Sequence, residues 1–479
     1  MSNEEYQDEI GEFDEEGNML FRNTSSNGRF HSDWCSMMYS RLKLAHNLLS
    51  NDGVIFISID DNEVDNLRKI CDEVYGEVNF IANLVWKSKS GGSNDTGGIA
   101  IDTEYILVYA KSKTNLKLNL DKNAEVSSSY NLVDENGKRY GLDRLDKQSL
   151  GYHDSLDFPI IGPDGKEYVV EHKNPNVKKA RWRWSKETVK EKYNELVFKY
   201  PYVYTKNYEK DGYVYRNLLV DEKYGRTRTG KTTFADLFDG ISIFSFPKPY
   251  VLIEHIVNMI CDNDSMVLDF FSGSATTAHA VMKLNAEDGG NRKFIMIQLP
   301  EETDEDSEAY KAGYENICEI GKERIRRAGT KIKEETGKDI DYGFRVLKLS
   351  DSNMKDVFYN PEEYTQKMLL DNTSNIKNDR TEDDLLFSSL IERGVPLNKS
   401  YRKEKIDGHN VIIYNEEGEA PEFVACFDKK ISEKCITEIA KMKPLKAVFR
   451  DSSFENSASR INLEELFKMY SKETKIKVM

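Results

Sequence analysis

Residues 267–277 read Val-Leu-Asp-Phe-Phe-Ser-Gly-Ser-Ala-Thr-Thr, and this stretch decides the fold. Its apolar start predicts a strand that ends at Asp269, and Thr276 and Thr277 predict the first turn of a helix. The small residues between them let the backbone approach a ligand closely. Turn amides can hold a carboxylate, and no Gly-x-Gly-x-x-Gly phosphate pattern is present, so the stretch suits an adenosyl amino acid. An ordinary strand–turn–helix corner is the alternative for the turn alone.

Two segments flank this turn along the chain. Upstream, residues 245–249 read Ser-Phe-Pro-Lys-Pro and precede apolar residues at helical spacing. Downstream, a second apolar run predicts a strand over 294–298, whose last residue, Gln298, offers an acceptor for ribose hydroxyls. An aromatic ring, a rigid turn and an amide are thereby expected beside the same end of one sheet.

Strands and helices alternate on both sides of a different middle region. A helix is predicted from about Ser32, and the apolar run 54–59 predicts a strand buried on both faces, as in a parallel sheet. The alternation predicts an α/β fold. One α/β domain is predicted in two halves, 1–114 and 239–340. An inserted module, 115–238, lies between them, and a C-terminal α+β domain, 341–479, follows.

Composition narrows the class of protein. The chain has 479 residues, of which 39% are hydrophobic and 32% charged, and no apolar run is long enough for a membrane span. Its six cysteines form no Cys-x-x-Cys pair, which predicts a reducing cytoplasm and no metal site. The formal charge of the chain is −15, yet residues 173–192 contain eight Lys or Arg and only two Glu. A polyanion is therefore expected in the middle of the chain.

The basic segment 178–186 interleaves cations with Trp182 and Trp184. Lys and Arg bind phosphate, and Arg also reads guanine edges. A solvated basic face with both indoles in a core is the alternative. The predicted DNA contacts are Lys178, Lys179, Arg181, Arg183, Lys186, Arg226 and Arg228.

Residues 225–232 match the phosphate-loop pattern Gly-x-x-x-x-Gly-Lys-Thr. A phosphate loop requires a buried strand directly before it and a full helix after it. Polar residues 221–224 precede this match, so we interpret it as a basic loop that touches the DNA backbone. A nucleotide-driven translocase is the weak alternative that rests on it.

Segments 246–249 and 269–277 together resemble a known protein family. Phe-x-Lys-Pro followed closely by Asp-x-Phe-x-Gly-Ser-x-Thr-Thr resembles the pairing in amino-methylating DNA methyltransferases of the permuted β class. The resemblance implies a Rossmann-like fold and S-adenosylmethionine as cofactor. Ala275 stands where many members have Gly, and Gln298 where many have an acidic residue. The implied cofactor contacts are Lys248, Pro249, Asp269, Phe270, Phe271, Gly273, Ser274, Thr276, Thr277 and Gln298.

The C-terminal part, with its segments 381–386 and 447–454, resembles the tail of type III restriction–modification modification subunits. This resemblance implies methylation of adenine N6 in double-stranded DNA and a homodimer that reads an asymmetric site. It also implies a separate restriction (Res) subunit with ATPase and nuclease activity. The tail itself has the apolar spacing of an ordinary core, which predicts a dimerisation or assembly domain.

The catalytic loop of that family, Asp/Asn-Pro-Pro-aromatic, has no counterpart, because the sequence contains no Pro-Pro dipeptide. Segments 27–34 and 52–61 resemble the parts of the family that follow this loop. We therefore predict no catalytic residue, interpret Met1 as an internal methionine of a longer frame, and expect unpaired backbone on the neighbouring strands. A methyltransferase that is inactive alone is the leading hypothesis, and a DNA-binding or assembly subunit without enzymatic activity is the alternative.

Overall fold

The computed structural model describes residues 29–91, 98–124, 128–172, 177–355, 376–416, 418, 420–454 and 457–479. The chain forms two compact units, Met1–Tyr342 and Gly343–Met479. Each unit has hydrophobic clusters of its own.

The helices of the first unit are α1 (Phe30–Leu48), α2 (Val64–Cys71), α3 (Lys186–Glu191), α4 (Thr227–Leu237), α5 (Tyr250–Ile260), α6 (Thr276–Asp288), α7 (Glu308–Lys311) and α8 (Ile317–Thr336). Those of the second unit are α9 (Glu382–Glu392), α10 (Glu433–Lys441) and α11 (Ser457–Tyr470).

The strands of the first unit are β1 (Val54–Ile59), β2 (Phe80–Lys87), β3 (Thr103–Ala110), β4 (Leu132–Val133), β5 (Arg139–Arg144), β6 (Asp146–Lys147), β7 (Ile160–Ile161), β8 (Glu167–Tyr168), β9 (Arg181–Trp182), β10 (Leu196–Lys199), β11 (Tyr202–Tyr208), β12 (Leu218–Leu219), β13 (Met266–Asp269) and β14 (Lys293–Met296). Those of the second unit are β15 (Tyr401–Ile406), β16 (His409–Tyr414), β17 (Phe423–Cys426), β18 (Lys446–Phe449) and β19 (Lys475–Val478).

The first sheet has the strand order β1-β3-β2-β12. The predicted strand 54–59 is present, but its expected parallel pairing is wrong, because β1 runs antiparallel to β3. Both faces of the strand are covered nonetheless. Ile55 packs in the cluster with α1 and α2, whereas Phe56 packs in the cluster that contains Leu252 of α5. Burial by helices on both sides explains the continuous apolar run.

A second, parallel pair is formed by β13 and β14, which align Asp269 with Met296. Helix α6 connects the two strands and contacts α5, α8 and β14. Strands between helical layers confirm the predicted α/β class. Within the described residues, β1 pairs only with β3 and β13 only with β14, and the expectation of unpaired backbone beside a missing loop stays a prediction. The expectation about sequence before Met1 stays a prediction.

The inserted module has its own small sheets, in the order β10-β11-β5-β4 and as the pairs β6-β9 and β7-β8. They enclose a cluster around Leu145, Trp182 and Val203. The second unit contains one five-stranded sheet, β15 to β19 in order. Helices α10 and α11 pack on one face of it and α9 on the other. No helix of the described residues is long and apolar enough to cross a membrane.

Candidate functional site

Asp269 organises the turn between β13 and α6. One carboxylate oxygen accepts a hydrogen bond from the Thr277 hydroxyl at 2.6 Å, and the other accepts one from the Phe271 amide at 3.2 Å. The residue thereby joins the end of the strand to the first turn of the helix. We call residues 270–275 the cofactor loop.

Two left-handed residues turn the cofactor loop. Gly273 has a φ of 50° and Ala275 a φ of 59°. The Gly273 amide donates to the Gln298 side-chain oxygen at 2.8 Å, and the Ser272 amide donates to the Ile297 carbonyl at 3.2 Å. Gln298 therefore fastens the loop to the end of β14. The first N–H groups of any helix lack intrahelical partners, and no side chain caps those of α6.

Lys248 connects the two halves of the α/β unit. Its ammonium forms an ion pair with the Glu104 carboxylate of β3 and lies 5.0 Å from the centre of the Trp86 ring on β2. Trp86 and Glu104 are opposite each other in the β2–β3 register. The Lys248 carbonyl accepts from the Thr276 hydroxyl at 3.4 Å. Segment 245–249 thus contacts the first residue of α6, directly after the cofactor loop.

The phosphate-loop match adopts a different structure. Residues from Thr227 onward form helix α4, and a short 3-10 turn, Glu222–Tyr224, precedes it where a phosphate loop requires a strand. Gly230 lies inside this helix, and a Cβ on it would stand 2.2 Å from the Pro247 carbonyl oxygen. The phosphate-loop alternative is therefore wrong, and so is the loop interpretation of this stretch. The glycine instead permits close packing of α4 against residues 247–249.

Arg324 is a site residue that the sequence analysis did not identify. It is fully buried and its Nη1 lies within hydrogen-bonding distance of the Ser274 hydroxyl, at 2.8 Å, and the Thr276 hydroxyl, at 2.6 Å. A signal was present in the sequence. Arg324 lies on the apolar stripe of α8, four residues from Ile320 and four from Ala328. A charge within such a stripe indicates a buried polar contact.

The remaining predicted cofactor residues occupy different surroundings. Phe271 is exposed, whereas Phe270 packs against the cluster of α1, α2 and β1. Pro249 is the residue directly before α5, and its fixed φ suits that position. The structure brings together Lys248, Asp269, Gly273, Ser274, Thr276, Thr277 and Gln298, and it turns the Phe270 ring away into a core.

The predicted DNA contacts divide by exposure. Lys179, Lys186 and Arg228 are exposed. Lys178 is also exposed, and its ion pair with Asp157, at 2.9 Å, raises the pKa of the ammonium group. Arg181 is half-buried on β9.

Two further predicted cations, besides Lys178, form contacts within the protein. Arg183 donates to the Thr205 hydroxyl at 2.7 Å and pairs with Asp143 at 3.1 Å. Arg226 is buried and donates to the carbonyls of residues 220, 221 and 225. These contacts favour structural roles for both guanidinium groups. Trp182 is also buried, with its indole N–H donating to the Phe158 carbonyl at 2.6 Å, as the core alternative expects.

Known proteins were compared with the chain. The model of the DNA methylase family matches residues 9–309. The StyLTI Mod subunit of a type III restriction–modification enzyme, from Salmonella typhimurium, is 36% identical over 66% of this chain and 48% of that protein. The EcoP15I Mod subunit from Escherichia coli is 30% identical over 97% of this chain and 75% of that protein. Thus the chain spans about half the length of the first relative.

Among solved structures, the M1.HpyAVI–SAM complex matches 61% of this chain and 84% of its own, with 15% identity and a TM-score of 0.29. The α/β fold of the first unit and the match to the DNA methylase family define the class, a methyltransferase that uses S-adenosylmethionine. The chain belongs to the DNA methylase family, among the modification subunits of type III systems. The family predicted from the two motifs is thereby confirmed.

Proposed function

We propose that this chain is the methyltransferase part of a type III modification subunit, which transfers a methyl group from S-adenosylmethionine to adenine N6 in duplex DNA. The observation that carries the proposal is the joining of Asp269, Thr277 and Lys248 around one loop. Membership of the DNA methylase family supports the reaction class. Adenine as the target base rests on the resemblance to the type III group.

The residues of the site fit the cofactor by their chemistry. Helix α6 offers uncapped N–H groups and Lys248 offers an ammonium group, which together suit the carboxylate of an amino acid. The exposed Phe271 ring offers an apolar surface for a purine. When bound, the cofactor supplies an electrophilic methyl group. The residues of this chain would bind it and orient it.

DNA contact is proposed for the exposed cations Lys178, Lys179, Lys186 and Arg228, with a smaller contribution from the half-buried Arg181. Phosphate contacts of this kind position a protein on duplex DNA and make its affinity salt-dependent. Arg183 and Arg226 would instead maintain the shape of the module. Replacing two of the exposed lysines should weaken binding to all DNA sequences and reduce its salt dependence.

The proposal extends to activity and partners. The Asp/Asn-Pro-Pro-aromatic loop is absent from the 479 residues, so this chain should bind cofactor and DNA without methylating. A flipped adenine needs a polar clamp on its amine, which that loop would provide. Following the resemblance to type III modification subunits, the chain would act in the cytoplasm as a homodimer, through the second unit, with a Res subunit.

The test combines binding with methylation. Calorimetry should detect S-adenosylmethionine binding to this chain, and plasmid DNA from a host that expresses it alone should lack N6-methyladenine. Adding an amino-terminal segment with Asp-Pro-Pro-Tyr should restore methylation. Absence of cofactor binding in both proteins would refute the proposed class.

A DNA-binding or assembly subunit without transfer activity is the second candidate, which the absent loop favours. It predicts DNA binding that neither S-adenosylmethionine nor the added segment changes. Methylation by the extended protein would contradict it.

A further inference from the structure

Arg324 holds a buried charge without a counter-ion. The guanidinium is fully buried, and no carboxylate oxygen of the described residues lies within 4.0 Å of it. Its Nε has no hydrogen-bond partner. Burial alone lowers the pKa of Arg324 to about 9, because no acidic neighbour offsets the loss of hydration.

All polar contacts of this guanidinium lead to the cofactor loop and the start of α6. Nη1 lies near the Ser274 hydroxyl and carbonyl, the latter at 3.2 Å, and near the Thr276 hydroxyl. The ring of Phe234 covers it, with the guanidinium carbon 5.2 Å from the ring centre. Arg324 therefore lies in the interior beside the loop, and the two hydroxyl-bearing residues that it contacts are themselves buried.

The groups next to the guanidinium add positive potential, and the nearby Asp269 carboxylate is bonded to Thr277 and Phe271 instead of to Arg324. The uncapped N-terminus of α6 begins at Thr276, where the helix dipole is positive. His279, one turn further along, is neutral, because burial and then the charge of Arg324 lower its pKa to about 3. A buried charge is normally paired with an opposite charge. Among the described residues no carboxylate pairs with Arg324, so its charge is available to an anion that the loop binds.

We propose that Arg324 is a positioning residue whose charge, acting through Ser274 and Thr276, makes the cofactor loop select a ligand with an anionic tail. This inference rests on the proposed function and names the part of the ligand that the loop recognises. The α-carboxylate of S-adenosylmethionine is the anion. Arg324 does not touch it. It holds the loop in place, and its charge strengthens the attraction of the loop amides for negative charge.

Decarboxylated S-adenosylmethionine provides the discriminating ligand, because it keeps the adenosine, the sulfonium and the amine and lacks only the carboxylate. Calorimetry on the full chain should show that the wild type prefers S-adenosylmethionine by roughly tenfold or more. Arg324→Gln should lose most affinity for S-adenosylmethionine and keep that for the decarboxylated ligand. Arg324→Lys, which retains the charge, should retain most of the preference.

Arg326→Met is the matched control, because Arg326 lies on the same helix with an exposed side chain. Its preference should equal that of the wild type. An equal loss of both affinities in Arg324→Gln would reduce Arg324 to a structural role and overturn the inference. If the wild type bound both ligands with equal affinity, the inference would be overturned. This test needs no variant, so it holds even if Arg324→Gln fails to fold. A wild type that binds neither ligand would refute the proposed function itself.

Discussion

Two stretches of this chain have similar letters and different structures. Residues 269–277 and 225–233 both combine glycine with hydroxyl residues and end in a Thr-Thr pair. The first follows strand β13 and forms a loop before a helix, whereas the second follows a 3-10 turn and is helical from Thr227. Only the first has the tight turn that a cofactor site requires. The comparison teaches that the element before a glycine-rich stretch decides what the stretch becomes.

Gly273 and Gly230 both act through the absence of a side chain, but they serve different purposes. Gly273 supplies a positive φ, which turns the chain after the strand. Gly230 has ordinary helical geometry, and its lack of a side chain permits contact with the Pro247 carbonyl. One glycine shapes a site and the other supports the segment that carries Lys248.

The largest expected effect is a loss of S-adenosylmethionine affinity, and it should occur for a variant in residues 269–277 and not for one in residues 225–233. Asp269→Ala removes the acceptor of the Thr277 hydroxyl and the Phe271 amide, so S-adenosylmethionine affinity should fall roughly 100-fold. Lys231→Ala, in the second stretch, should leave it within about twofold. Calorimetry measures both, and ATP binding that Lys231→Ala abolishes would invalidate the comparison.

The second prediction tests the helix that follows residues 247–249. A Glu254 carboxylate oxygen on α5 is buried without a partner, and burial, followed by repulsion from Glu287, raises the pKa of Glu254 to about 8. Below pH 4.5 both folded and unfolded states are protonated. As the pH rises to 8, the unfolded state ionises first and the wild type loses stability.

Glu254→Gln removes that penalty. The variant should therefore be more stable than the wild type by about 2–3 kcal/mol near pH 8, with the difference vanishing near pH 4. Urea unfolding across this pH range is the measurement. Glu334→Gln, at an exposed position on α8, is the control and should show a much smaller pH dependence. A Glu254→Gln difference that does not vary with pH would contradict the packing of α5 on α6.

The third prediction compares two glycines inside helices. Gly230→Ala places a methyl group against the Pro247 carbonyl and should reduce the free energy of unfolding by about 2 kcal/mol. Gly329→Ala on α8 meets nothing closer than 3.5 Å and should stabilise the protein by about 0.5–1 kcal/mol through helix propensity. Thermal unfolding distinguishes the two. Equal effects would show that α4 does not pack on residues 247–249.

The smallest expected effect concerns Glu104. Glu104→Gln keeps the shape of the side chain and removes its charge, so Lys248 is held less firmly beside the Trp86 ring. S-adenosylmethionine affinity should fall roughly fivefold, since a half-exposed ion pair contributes modestly. Glu301→Gln, on an exposed loop position, is the control and should change nothing. An unchanged affinity in Glu104→Gln would show that the pair is dispensable.

Much of the fold could be predicted from the sequence because the deciding elements are short and strongly patterned. The strands 54–59 and 266–269 lie where the apolar runs predict them, and α6 begins at Thr276. The direction of β1 was predicted wrongly, since an antiparallel strand covered by helices on both faces has the same apolar run as a parallel one. The residue-by-residue assignments to cofactor and DNA stay predictions.

The sequence by itself determined the class of the protein, because a strand end, a small-residue turn and a helix start are local features that neighbouring residues specify. Tertiary structure decided which charges belong to the site. Glu104 and Arg324 lie far from the cofactor loop along the chain, and only folding brings them to Lys248 and Ser274. Which charged side chains pair depends on which residues folding brings together in the interior. The spacing of residues along the sequence does not indicate these partners.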